Sequence, residues 1–197
     1  MKKILNILFV FTSLLILVGC NVKLGEVDQG RVIEFNKEEW SVVLIQDRNY
    51  DKPGNPLYDI LPPHKYFLPK DPNEMGPEPT AGYRMKLDLE KNKIVIFDVT
   101  TQNFKSIDIK VVEKKENIAK EDPLVKGKKF PIIDKERKTV TLYSARQKLL
   151  TTFAVPEEYI NLPEKTWIAG DEVRVYYKEP GKALRFMNIT KTDIYKK

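Results

Sequence analysis

One cysteine and one histidine in 197 residues exclude more chemistry than any motif in the chain supplies. A lone Cys20 rules out a disulfide framework within the chain, zinc sets rich in Cys, and the Cys-x-x-Cys-His haem signature. A lone His64 rules out a cluster of imidazole ligands and leaves one residue for any Ser/His/Asp arrangement. Set in Pro62-Pro63-His64-Lys65-Tyr66, it reads as a loop residue with ordinary hydrogen bonds rather than a catalytic base. A glycine-rich phosphate loop is lacking as well. So is a hydrophobic run of membrane-spanning length. The longest, Ile4 to Val18, carries only Asn6, Thr12 and Ser13 as polar interruptions, but it stops short of the roughly 20 apolar residues a transmembrane helix needs.

That run has the anatomy of an export signal over residues 1–19: Lys2 and Lys3, an apolar stretch, then a small residue before cysteine. Leu17-Val18-Gly19-Cys20 resembles the lipobox of bacterial lipoproteins, in which the thiol is lipidated, the signal is cut and the new amine is acylated. The resemblance implies that Cys20 becomes residue one of the mature chain and anchors it to the cell envelope. One acyl chain, at about 0.8 kcal/mol per buried CH₂, holds marginally, whereas two or three hold firmly. Asn21, rather than aspartate, follows the cysteine, which favours the outer membrane if the host has two. Removal of the signal leaves 32 basic against 28 acidic residues, a net charge of +4. A surplus of that size spread along the chain argues for solubility and against nucleic acid as a partner.

The remaining 178 residues bury a sizeable core without disulfides. Thirteen Pro and nine Gly, with abundant Val, Ile, Tyr and Phe, favour short strands between punctuated turns. Residues 20–29 read as lipidated cysteine and tether, 30–112 as a first β unit, 113–128 as a Lys/Glu-rich connector and 129–197 as a second β unit. Tyr83, Met85, Leu87 and Leu89 alternate with Arg84, Lys86 and Asp88, the signature of a half-buried strand. Arg31 to Phe35 and Trp40 to Ile45 flank a polar turn, and Pro180-Gly181 fits a type II turn. Ala81-Gly82-Tyr83 parallels Ala169-Gly170-Asp171, so a duplicated unit is one reading and convergence of short strand patterns the other. The expected fold class is all-β and mainly antiparallel, with two small OB-like or SH3-like barrel units in tandem. A short helix is expected in the second unit over Pro156 to Leu162, where the order of elements resembles the OB-fold.

Asp47-Arg48-Asn49-Tyr50-Asp51 has the oxygen spacing of half a calcium loop, but Lys52 and Tyr58 stand where glycine and glutamate are required. It reads as a turn-rich insertion. Asp71 to Pro79 holds three prolines and three carboxylates, a stiff acidic loop that suits either recognition or a crossover. In an OB-like second unit the binding face falls on Thr139 to Ser144 and Lys148 to Val155, with Tyr143, Arg146 and Lys148 as exposed contacts and Tyr176 as a neighbour. No cofactor, metal site or catalytic set is expected. The reading is a non-enzymatic envelope module that binds or scaffolds a protein or glycan. Its alternative is a carboxylate-dependent hydrolase built on Glu74 or Glu78 with Asp171 or Glu164, which requires two carboxyls flanking one bond.

Val27-Asp28-Gln29-Gly30-Arg31-Val32-Ile33-Glu34-Phe35, Met75-Gly76-Pro77-Glu78-Pro79, and the segments Leu162 to Trp167 and Lys182 to Thr190 are similar to a small family of bacterial lipoproteins classed as a domain of unknown function. The resemblance covers nearly all of the mature chain. It carries no catalytic residues and implies only the lipoprotein address.

Overall fold

In the computed structural model the described residues are 24–52 and 54–192, so the export signal and Cys20 lie outside them. Strands take 47% of the chain and helix 6%, as the all-β reading expected. The sheets are antiparallel apart from one short parallel contact, and the helix of the second half is a single turn, α1 (Glu157–Ile160). Among the described residues no helix is long and apolar enough to cross a membrane.

A closed five-stranded barrel is built from both ends of the chain. β1 (Glu26–Asn36), β2 (Ser41–Gln46) and β3 (His64–Phe67) come from the first half, β11 (Glu172–Glu179) and β12 (Lys182–Asn188) from the last, in the order β1-β11-β12-β3-β2. Inward residues at period two, among them Val32, Leu44, Tyr66, Val173, Val175 and Phe186, fill it. β12 meets β3 in a parallel register, Lys182 with Phe67, which completes the ring. Tandem units expected from chain order therefore take another form, because β11 finds its hydrogen-bonding edge on β1 rather than on its sequence neighbours. β1 also starts inside the stretch read as tether, and Asp28 and Gln29 are buried.

Two further sheets stack on one side of this barrel, one behind the other. β4 (Arg84–Asp88), β5 (Lys93–Asp98) and β6 (Asn103–Asp108) form a three-stranded sheet, and β7 (Lys110–Lys115), β10 (Leu149–Ala154), β9 (Thr139–Ser144) and β8 (Ile132–Asp134) a four-stranded one. The three-stranded sheet is the middle layer. Met85 and Phe97 pack with Ile33 and Ile45 from the outer wall of the barrel, while Ile94, Ile96 and Ile107 pack with Val140, Phe153 and Trp167 on the other side. β5 is consequently apolar without interruption from Ile94 to Phe97, the pattern of a strand covered on both faces. The stretch 113–128 is not wholly a solvated connector: its first residues extend β7, and Ile118 and Val125 pack with Leu150 and the partly buried Tyr143.

At the seam between barrel and middle sheet, the two Ala-Gly echoes meet each other. Tyr83 bridges Ala169, Gly82 N donates to Val32 O at 3.1 Å, and Val32 N donates to Asp171 O at 3.0 Å. A Cβ on Gly170 would collide with the Val32 carbonyl oxygen, and one on Gly82 with the Ile168 carbonyl. Both positions thus need glycine for close backbone approach.

Candidate functional site

A cleft of about 750 Å³ opens where the barrel, the middle sheet and the β9–β10 turn converge. Strand alternation sends Gln29 and Arg174 outward from neighbouring barrel strands, and they meet across the β1–β11 register. Arg174 donates to Gln29 Oε1 through Nη2 at 2.7 Å and Nε at 3.1 Å, and Gln29 Nε2 donates to Glu172 Oε1 at 2.6 Å. Arg146, on the β9–β10 turn, reaches Glu172 at 3.8 Å with its side chain 78% exposed. The Asp47 loop forms one rim. Asp47 Oδ1 accepts from Asn49 N at 2.9 Å and Leu57 N at 2.7 Å, so this carboxylate shapes the turn, and Tyr50 stands exposed above it.

Arg84 belongs to the same cleft. Its Nε donates to the Trp167 carbonyl at 2.9 Å, and its own carbonyl accepts from Arg31 Nη1 at 3.0 Å. Burial, and then the nearby charge of Arg31, lower the Arg84 pKa to about 10, so it remains protonated at neutral pH. Arg31 lies over the Tyr58 ring at 4.2 Å. Enclosure pushes the Tyr58 phenol up to about 12.

Of the four sequence-selected contacts, Tyr143 and Arg146 line this cleft and Lys148 and Tyr176 do not. Tyr143 differs from the expected free contact. Its ring packs at 5.8 Å on Phe130 and its hydroxyl donates to Ile118 O at 3.1 Å, because the 113–128 segment covers that face of the sheet. Arg146 is exposed as expected. Lys148 is exposed too, but it closes the turn with a left-handed φ of 50°. Tyr176, two residues along β11 from Arg174, is only partly exposed, since its ring lies against Gly25, and it borders a shallow hollow with Glu74, Leu184 and Arg185. Arg84, Arg174 and Glu172 escaped sequence reasoning. Their alternation with buried residues marks a polar-facing side, and nothing in it distinguishes open solvent from a cleft wall.

The acidic loop is strapped to the barrel. Gly76 N donates to Phe186 O at 2.8 Å and Asn188 Nδ2 to Pro77 O at 3.3 Å. Glu74 pairs with Arg185 at 2.5 Å, which holds its carboxyl below the usual range, and Glu78 pairs with Lys37 at 2.5 Å. Asp171 accepts from Thr80 N at 2.8 Å and Asn188 Nδ2 at 2.9 Å and meets Lys191 at 3.2 Å, whereas Glu164 is exposed at the start of a 3-10 turn. Three of the four carboxylates are therefore tied to separate structural partners. His64 opens a strand instead of lying in a loop. Its Nδ1 is 3.0 Å from the buried Asp28, which also accepts from the Tyr66 hydroxyl, and Tyr177 beside them donates to Glu26 at 3.0 Å. Burial and then the Asp28 bond raise the Tyr66 pKa far above that of a free phenol. No group of three or more His, Cys, Asp or Glu suited to a metal ion occurs among the described residues.

A family model described as Domain of unknown function (DUF4881) matches residues 23–197. No curated protein and no solved structure matches the chain.

Proposed function

The chain belongs to the DUF4881 family, and from that premise we propose that it is an envelope lipoprotein, anchored through Cys20, that binds a protein or glycan partner without catalysing a reaction. The observation that carries this reading is the cleft. Four cations (Lys52, Arg84, Arg146 and Arg174) face two acids (Asp47 and Glu172) in its lining, beside Tyr50 and Tyr143. Aromatic planes and guanidinium groups on a concave wall suit recognition of a glycan or an acidic protein segment. Both acids accept hydrogen bonds from protein groups, which gives each a structural role in the cleft wall. The lipobox-like ending at Cys20 supports the anchor, and Asn21 supports the outer membrane in a host with two membranes. Affinity capture from solubilised envelopes tests the reading, with Arg146→Ala and Arg174→Gln as cleft variants and Cys20→Ala as the mislocalised control. The cleft variants lose the specific partner that the native chain recovers. Equal recovery by all forms, or none by the native chain, contradicts the proposal.

A further inference from the structure

We propose that the floor of this cleft is an anion seat, in which the two terminal amino groups of Arg84 hold a single carboxylate or phosphate group of the ligand. The inference rests on the cleft being the recognition surface and names the chemistry that surface selects.

Arg84 is a protonated guanidinium in the cleft lining, partly covered by its surroundings and not neutralised by an opposite charge beside it. Only Nε has a partner, the Trp167 carbonyl. Among the described residues neither terminal nitrogen has a hydrogen bond, and no carboxylate comes within ion-pair distance. The neighbouring Arg31 is a like charge whose Nη1 is spent on the carbonyls of Arg84 and Met85, at 3.0 and 2.7 Å. The lining acids do not supply the missing charge. Glu172 is shared between Gln29 and Arg146, and Asp47 Oδ1 is shared between two backbone amides. With Nε fixed to a carbonyl, the plane of the fork is set before a ligand arrives, so its outer edge meets two oxygens side by side with little further ordering. Arg146 and Arg174 stand in the same lining and add to the field at the seat.

The test uses the full mature chain from residue 20, carrying Cys20→Ser, ¹⁵N-labelled and held at constant ionic strength with chloride. It is titrated in separate arms with inorganic phosphate and with glucuronate. The Arg84 Nε–Hε resonance and the backbone amides of Ala145 and Arg146 shift and saturate in at least one arm. The melting temperature rises in that arm, because a ligand of the native state alone stabilises it. The responding arm assigns phosphate or carboxylate. Arg84→Lys, which keeps the charge but not the fork, weakens the response at least tenfold. An unmoved Arg84 resonance in both arms overturns the seat, as does a response confined to exposed lysines or left unchanged in Arg84→Lys. If Arg84→Lys does not fold, the native resonance and melting shift still decide. Envelope capture that depends on Arg146 and Arg174, with Arg84 silent to both anions, leaves the proposed function standing and removes only this inference.

Discussion

Replacing Gly170 by alanine probes the joint that fastens the barrel to the middle sheet. The added methyl falls on the Val32 carbonyl oxygen, with the carbonyl carbon at 2.9 Å and Gly82 N at 3.0 Å. All three are backbone atoms, so no side chain can swing aside. Overpacking of this kind costs about 1–3 kcal/mol. Relief requires β1 and the 168–171 segment to part, which opens the Val32 to Asp171 and Gly82 to Val32 hydrogen bonds at about 1 kcal/mol each. The sum is about 4 kcal/mol. For a chain of this size 1 kcal/mol corresponds to about 2–4 °C, so the melting temperature falls by about 8–16 °C. Gly54→Ala is the control: Gly54 has φ +83° with nothing within 4 Å of an added Cβ, so only the left-handed penalty of about 1–2 kcal/mol applies. Thermal unfolding followed by circular dichroism measures both variants. A Gly170→Ala protein that melts no lower than Gly54→Ala refutes the reasoning.

Urea unfolding separates Tyr143 from Arg146: Tyr143→Phe loses about 1 kcal/mol with the bond to Ile118 O, whereas Arg146→Ala stays within about 0.5 kcal/mol. The raised phenols of Tyr58 and Tyr66 stabilise the fold below the ordinary tyrosine pKa of 10.0, and that contribution is lost as pH rises through their folded values. An ultraviolet titration therefore counts no more than seven of the nine tyrosines ionised before unfolding begins, and a full count of nine in the folded protein contradicts their burial. Glu39, Glu74 and Glu157 are held below 4.5 by Lys65, Arg185 and Lys138, so their support is complete above pH 4.5 and drains as pH falls through the lowered values. Melting curves from pH 6 to pH 3 should show the decline, and Glu74→Gln should reduce it.

Period-two alternation made most strands legible, and Pro180-Gly181 marked the β11–β12 hairpin, with Gly181 at φ +78°. Partner choice was not legible, because alternation shows that one face is buried without showing against what. Val173 and Val175 point into a barrel shared with β1, and the same pattern would serve a local hairpin stack. The echo of Ala81-Gly82 and Ala169-Gly170 looked like repetition along the chain. In space it is one crossing at which both backbones must lack a side chain. Arg84 read as a wet-side residue beside buried Met85, and only the packing of three layers makes that side the floor of a cleft. Arg146 was legible as an exposed turn cation, whereas Tyr143 was misread because the cover supplied by Ile118 and Val125 comes from a segment whose Lys and Glu content signals solvent.

Site-specific photo-crosslinking in intact envelopes tests recognition through the cleft most directly. A photoreactive phenylalanine analogue replaces Tyr50, an exposed residue of the cleft rim, and in a second strain Val112, an exposed residue of β7 that does not line the cleft. Recognition through the cleft predicts one discrete adduct from position 50, lost with Arg146→Ala and Arg174→Gln, and none from position 112. No adduct at position 50, or the same adduct from both positions, contradicts it.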